Sequence, residues 1–183
     1  MRERGDERTP DGAEGAQHDD VRNRALYTDL LSRHGASPRA LNWGSRESQR
    51  LRFRILFEAG IPRDASVLDA GCGTGDFLAY LRERGFEGRY VGIDLTPAMI
   101  EAASKRFPGE RFAVASIGDA AGLSREAFAS DFVVSSGVFY YRQADPERFL
   151  HESLERLFPL ARRCLAFNSL STWADRPAEA GEF

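Results

Sequence analysis

Between Ser66 and Asp94 the chain runs through a strand, a glycine-rich turn, a helix, a second strand and a terminal acid. Few folds accommodate that order. Ser66-Val67-Leu68-Asp69-Ala70 is short and apolar enough to be a buried strand, and Gly71, Gly73 and Gly75 follow it directly. The spacing then predicts a helix from Phe77 to Arg84, closed by Gly85, and a second strand over Tyr90-Val91-Gly92-Ile93-Asp94. Glycines between a strand end and a helix start let the backbone turn sharply and let a ligand approach the peptide planes without meeting a Cβ. The turn is therefore a candidate ligand cradle at the carboxyl end of a strand.

The rest of the chain repeats the alternation. Thr96 as N-cap and Pro97 at the first helical position open a helix through Met99, Ile100 and Ala103. Phe112–Ala115 reads as a third strand and Asp131–Val138 as a fourth, continuously apolar one, as for a strand covered on both faces. Asp145-Pro146 starts a helix with the stripe Phe149, Leu150, Leu154, Leu157 and Phe158, and Cys164–Asn168 is a fifth strand. Before the first strand, a helix from Ala25 through Leu26, Leu30 and Leu31 ends at Gly35. Another, capped by Ser45 and running to about Ala59, carries the stripe Leu51, Ile55, Leu56 and Ala59. Strands alternating with helices argue for right-handed crossovers and a parallel sheet, an α/β fold.

Composition narrows the function classes. With 25 basic and 28 acidic residues the net charge is −3, which leaves no footprint for nucleic acid or an anionic membrane. No apolar run approaches the roughly 18 residues of a membrane span, and no signal-peptide core is seen at the amino terminus. A soluble, cytoplasmic protein is expected. Two cysteines make neither a disulfide framework nor a four-thiolate metal site, and no metal is expected. Residues 1–22 hold one branched aliphatic, Val21, amid charge, glycine and proline, and are expected to form a disordered tail. His18 there reads as a solvated, inert residue, His34, ending a helix beside Gly35, as a C-cap that suits the helix macrodipole, and His151 as a helix-surface residue.

Spacing separates the ligands such a turn could hold. A dinucleotide fingerprint is Gly-x-Gly-x-x-Gly, whereas here the third glycine comes one residue early. Asp69, two residues before the first glycine, opposes a phosphate and suits an ammonium or hydroxyl donor. Asp94, 19 residues beyond Gly75, can accept hydrogen bonds from both hydroxyls of a ribose. A ribose and an amine without a phosphate describe S-adenosylmethionine better than NAD. Cys72 inside the turn reads as a packing residue, and Asp76 as a favourable charge at a helix N-terminus.

With Asp69-Ala70-Gly71-Cys72-Gly73-Thr74-Gly75 and Val91-Gly92-Ile93-Asp94-Leu95-Thr96-Pro97-Ala98-Met99-Ile100, the sequence resembles the class I S-adenosylmethionine-dependent methyltransferases over about residues 40 to 170. The resemblance implies a Rossmann-like parallel sheet in the order 3-2-1-4-5 flanked by helices. It also implies that Asp69, Gly71, Cys72, Gly73 and Gly75 line the methionine and ribose moieties and that Asp94 holds the ribose hydroxyls. Leu95 and Met99 would then lie near the adenine. Where the family often has an aspartate after the third strand this chain has Ser116-Ile117-Gly118-Asp119, so Ser116 and Ile117, or Asp119, would meet the base. Ser135 to Tyr140 matches the next motif, whose backbone would pass beneath the sulfonium. Asn42-Trp43-Gly44-Ser45, with Gln49 and Arg52, resembles a subset of bacterial methyltransferases. Trp43 would border the cofactor and Arg52 pair with its carboxylate.

These expectations divide the chain into a tail (1–22), N-terminal helices (23–60), a Rossmann-like core (61–170) and a C-terminal tail (171–183), a single methyltransferase-like domain from 23 onward. The family's C-terminal antiparallel hairpin is missing from the 15 residues that follow Asn168, so a sheet edge is expected to be open to a partner chain or a second copy. Trp43, Phe139, Tyr140 and Tyr141 are candidate lining for a small-molecule acceptor or ordinary core. Whether oxygen, nitrogen or carbon receives the methyl group is open, and no catalytic base is assigned. Two alternatives stand beside methyl transfer: an inactive cofactor-binding or scaffolding domain that needs a partner to complete its sheet, and a nucleotide-sugar or NAD enzyme, which the turn spacing disfavours.

Overall fold

The computed structural model describes residues 11–41, 43–118, 123–139 and 143–169. Its centre is a five-stranded sheet of β1 (Val67–Ala70), β2 (Tyr90–Asp94), β3 (Arg111–Val114), β4 (Ser130–Phe139) and β5 (Ala161–Ser169). Every pairing is parallel, as the alternation of elements predicts, and the order is β3-β2-β1-β4-β5, as the family resemblance implies. All four residues of β1 are buried, which is why that segment is apolar except at Asp69. A polar clasp sets its register on β4: the Ser66 amide and hydroxyl both donate to Asp131 Oδ2, at 2.8 and 2.7 Å, and the Asp131 amide donates back to Ser66 Oγ at 2.8 Å. Those bonds hold the Asp131 carboxyl below the usual carboxylate range. Among the described residues β5 pairs with β4 alone and forms an edge.

Helices cover both faces: α2 (Arg46–Phe57), α3 (Asp76–Arg82), α4 (Pro97–Arg106), α5 (Arg125–Phe128) and α6 (Pro146–Leu157). One core layer joins Phe53, Leu56, Phe77, Leu78, Leu81, Tyr90 and Phe132. The other joins Leu68, Val91, Ile93, Phe128, Val133, Leu157 and Leu160. Caps predicted from the sequence form: Ser45 Oγ accepts from the Ser48 amide and Asp145 Oδ1 from the Arg148 amide, both at 3.0 Å.

Three expectations need correction. The disordered tail does not extend to residue 22, because a continuous helix, α1 (Asp11–His34), occupies that stretch; residues 1–10 lie outside the described residues. Hydrogen bonds anchor it where apolar residues are scarce: Asp19 Oδ2 accepts from the Ala144 amide at 2.8 Å and Asp20 Oδ2 from the Ser116 hydroxyl at 2.7 Å. On α2 the buried side chains are Gln49, Phe53 and Leu56, whereas Leu51 and Ile55 are exposed. The helix turns Phe53 into an aromatic cluster with Phe77 and Tyr80, centroids 5.3 and 5.7 Å away. After α6 the chain turns at Phe158, which stands 70% exposed, and Leu160 fills the core instead.

Candidate functional site

The carboxyl ends of the strands surround one cavity. Gly71, Gly73 and Gly75 all have φ between 53° and 84°, a region costly for side-chain-bearing residues. A Cβ on Gly71 would lie 2.2 Å from Val138 Cγ2, and one on Gly73 would lie 2.5 Å from Leu41 Cδ2. Backbone therefore faces the cavity there. Asp94, at the end of β2, locks the turn in place: Oδ2 accepts from the Gly73 amide at 2.9 Å and Oδ1 from the Thr96 amide at 2.8 Å. Burial raises its pKa, and those two N–H groups oppose the rise.

Asp69 lies under the turn, 2% exposed, and accepts a hydrogen bond from the Tyr90 hydroxyl at 2.5 Å. Burial pushes its pKa up to about 7; the tyrosine bond pulls it down, and the charges of Asp94 and Asp76 push it further up. The Cys72 thiol is driven well above its ordinary value by burial and by Asp94 and Asp69, so it stays protonated and is no nucleophile.

Ten of the thirteen residues singled out from the sequence line the cavity: Trp43, Asp69, Gly71, Cys72, Gly73, Asp94, Leu95, Met99, Ser116 and Ile117. The structure does not bring the other three there. Gly75 is the left-handed N-cap of α3, packed against Phe107. Ser135 is fully buried and pins β4 to β1 by donating to the Ala70 carbonyl at 2.9 Å. Arg52 lays its guanidinium over the Trp43 ring, 4.9 Å from the centroid. That ring in turn covers Gly137, whose Cβ would stand 3.1 Å from it. Asp119, Tyr140 and Tyr141 lie outside the described residues.

Sequence reasoning missed Asp20, Asn23 and Tyr27 from α1, with Asp76, Gln143 and Phe149. Asp76 accepts from Gln49 Nε2 at 3.0 Å and pairs with Arg106 at 2.5 Å. Asp20, Asn23 and Tyr27 stand at i, i+3 and i+7 on one helix face, a pattern that was available to find them. Among the described lining residues four are aspartates and none is Lys, Arg or His. Such a cavity repels phosphates and attracts a cation. No cluster of metal-ligating side chains occurs among the described residues, and none of their helices is long and apolar enough to cross a membrane.

A parallel sheet in this order, with a glycine turn after its central strand and an acid ending the next, defines the architecture of the class I S-adenosylmethionine-dependent methyltransferases. Residues 67–159 match the model of a family described as a methyltransferase domain, and the chain belongs to that family. Over 114 residues it is 41% identical to the Mycobacterium tuberculosis protein Rv1506c, named as a methyltransferase, covering 60% of this chain and 66% of that one. It is 38% identical over 106 residues to the magnesium-protoporphyrin O-methyltransferase of Rhodobacter capsulatus, covering 55% and 46% of the two chains. With trans-aconitate 2-methyltransferase of Acidovorax ebreus the identity is 36% over 75 residues, 40% of this chain and 29% of the relative. The chain thus spans two thirds or less of these relatives. In fold it is similar to the magnesium protoporphyrin IX methyltransferase of Synechocystis, solved with bound S-adenosylmethionine, with TM-score 0.59 at 20% identity over 80% of this chain and 74% of that one.

Proposed function

We propose that the chain binds S-adenosylmethionine in this cavity and transfers its methyl group to a small-molecule acceptor. The observation that carries the proposal is the turn locked to Asp94 inside a cavity with acidic and no basic lining among the described residues. The fit is chemical as well as steric. Asp94 has two oxygens with about four lone-pair sites, of which backbone amides use two, and the remainder suit ribose hydroxyls. Asp69, which an ammonium would draw into its ionised form, and Asp76, which shares its charge with Arg106, stand beside the turn, where an ammonium would gain from them. Leu95, Met99 and Ile117 supply apolar walls for a base. The relatives named for trans-aconitate and magnesium-protoporphyrin support a small-molecule acceptor.

When bound, the cofactor supplies an activated methyl group on its sulfonium. The protein's part is to orient that group toward the acceptor and exclude water, which by itself supplies much of the rate. No base is needed for a good nucleophile.

Thermal unfolding with and without S-adenosylhomocysteine, with NAD as control, tests the reading. A ligand specific to the native state stabilises by about 2.7 kcal/mol at a hundredfold excess over Kd. The expected result is a rise of several degrees with S-adenosylhomocysteine, none with NAD, and loss of the rise in Asp94→Ala relative to that variant alone. No shift from a cooperatively folding chain would overturn the proposal. Binding without methylation of any small acceptor would leave a cofactor-binding domain.

A further inference from the structure

The strand order lays the cavity out in sequence: the glycine turn follows β1, Asp94 ends β2, and Ser116 stands two residues beyond β3. A ligand that meets the turn with its amino-acid part and rests its ribose on Asp94 must direct its base toward β3. There, beside the apolar walls of Leu95, Met99 and Ile117, stands the polar pair of Ser116 and Asp20. The Ser116 hydroxyl accepts from the Gly118 amide at 3.0 Å and donates to Asp20 Oδ2 at 2.7 Å. Ser116's only proton is thereby committed to Asp20, which lines the cavity and comes from α1, 96 residues away in the chain.

We infer that Asp20, carried on the N-terminal helix, is the residue that reads the base, accepting a hydrogen bond from the exocyclic amine of adenine. The inference rests on the cofactor reading above and assigns one end of that site. An ionised carboxylate accepts and never donates, so it matches an amino group and leaves a base without one unpaired. Asp19 positions it. Adjacent helical residues point about 100° apart; Asp19 is buried, accepts from the Ala144 amide at 2.8 Å and pairs with Arg22 at 3.0 Å. That anchor directs its neighbour to the β3 side. Gly118 leaves room for the pair, since a Cβ there would press within 3.2 Å of Ser116 Oγ.

The test is calorimetric titration of the full chain with S-adenosylhomocysteine and with its analogue carrying unsubstituted purine in place of adenine. Hydrogen bonds to charged groups predict that the unmodified chain prefers the adenine ligand about tenfold or more. Asp20→Ala should bind both ligands alike, and Asp20→Asn, which keeps the shape of the side chain, should retain only a small preference. Asp19→Ala, which releases the anchor that aims Asp20, should shrink the preference for the adenine ligand without abolishing it. Asp20→Ala losing affinity for both ligands by one factor, with the preference intact, would overturn the inference and leave Asp20 a structural latch. An unmodified chain that binds S-adenosylhomocysteine without preferring it would overturn it too. Failure of the unmodified chain to bind S-adenosylhomocysteine at all would overturn the cofactor reading and this inference together.

Discussion

Asp69 shows how one residue can serve both stability and ligand choice. Its folded pKa of about 7 stands above the ordinary aspartate value of about 3.9. Between those two values the folded carboxyl keeps a proton that the unfolded chain has released. Stability from this group is therefore complete below about pH 4 and is lost as pH rises through about 7, a change on the order of 4 kcal/mol. Urea denaturation of the ligand-free chain should show that decline, and Asp69→Asn should flatten it; an unchanged slope would assign the decline to other groups. A cationic ligand reverses the preference, because an ammonium beside Asp69 favours its ionised form. Affinity for S-adenosylhomocysteine should accordingly rise with pH through about 7 in the unmodified chain and not in Asp69→Asn. The presence of an acid at this position was legible in the sequence; its proton was not, because burial under the turn and the nearby charges of Asp94 and Asp76 hold it there against the pull of the Tyr90 bond.

At the scale of elements, the strands and their caps were legible because their signals are local: β-rich apolar runs, Pro97 at a helix start, Asp145 and Ser45 as caps. The faces of α2 were not. Leu51 and Ile55 fit an apolar stripe, yet the helix buries Phe53 because an aromatic cluster with Phe77 and Tyr80 waits on α3. Phe53→Ala should cost about 3–5 kcal/mol, whereas Leu51→Gln and Ile55→Gln should each stay within about 0.5 kcal/mol. Chemical denaturation of the three variants checks this, and comparable losses at all three would restore the stripe read from the sequence. Helix α1 was missed up to Ala25 for a different reason. It is tied down by carboxylates on the Ser116 hydroxyl and the Ala144 amide, and a count of apolar residues does not register such ties.

Across the whole molecule the cavity's charge is the property most open to measurement. Four aspartates and no basic side chain among its described lining favour a ligand that carries positive charge. S-adenosylmethionine, whose sulfonium adds one positive charge to the zwitterion that S-adenosylhomocysteine also carries, should therefore bind several-fold more tightly than S-adenosylhomocysteine in side-by-side titrations, and tighter binding of that net-neutral product would refute the electrostatic reading. The order of elements, the turn at Gly71–Gly75 and the acid at Asp94 were determined by the sequence alone, because each depends on residues within a few positions of one another. Which side chains meet in the cavity was decided only by the tertiary structure. Asp20 reaches Ser116, and Ser135 pins Ala70 instead of lining the site, through contacts between segments 65 or more residues apart. Local propensity carries no record of such distances; only the closure of the sheet and the docking of α1 across its carboxyl edge bring those groups together.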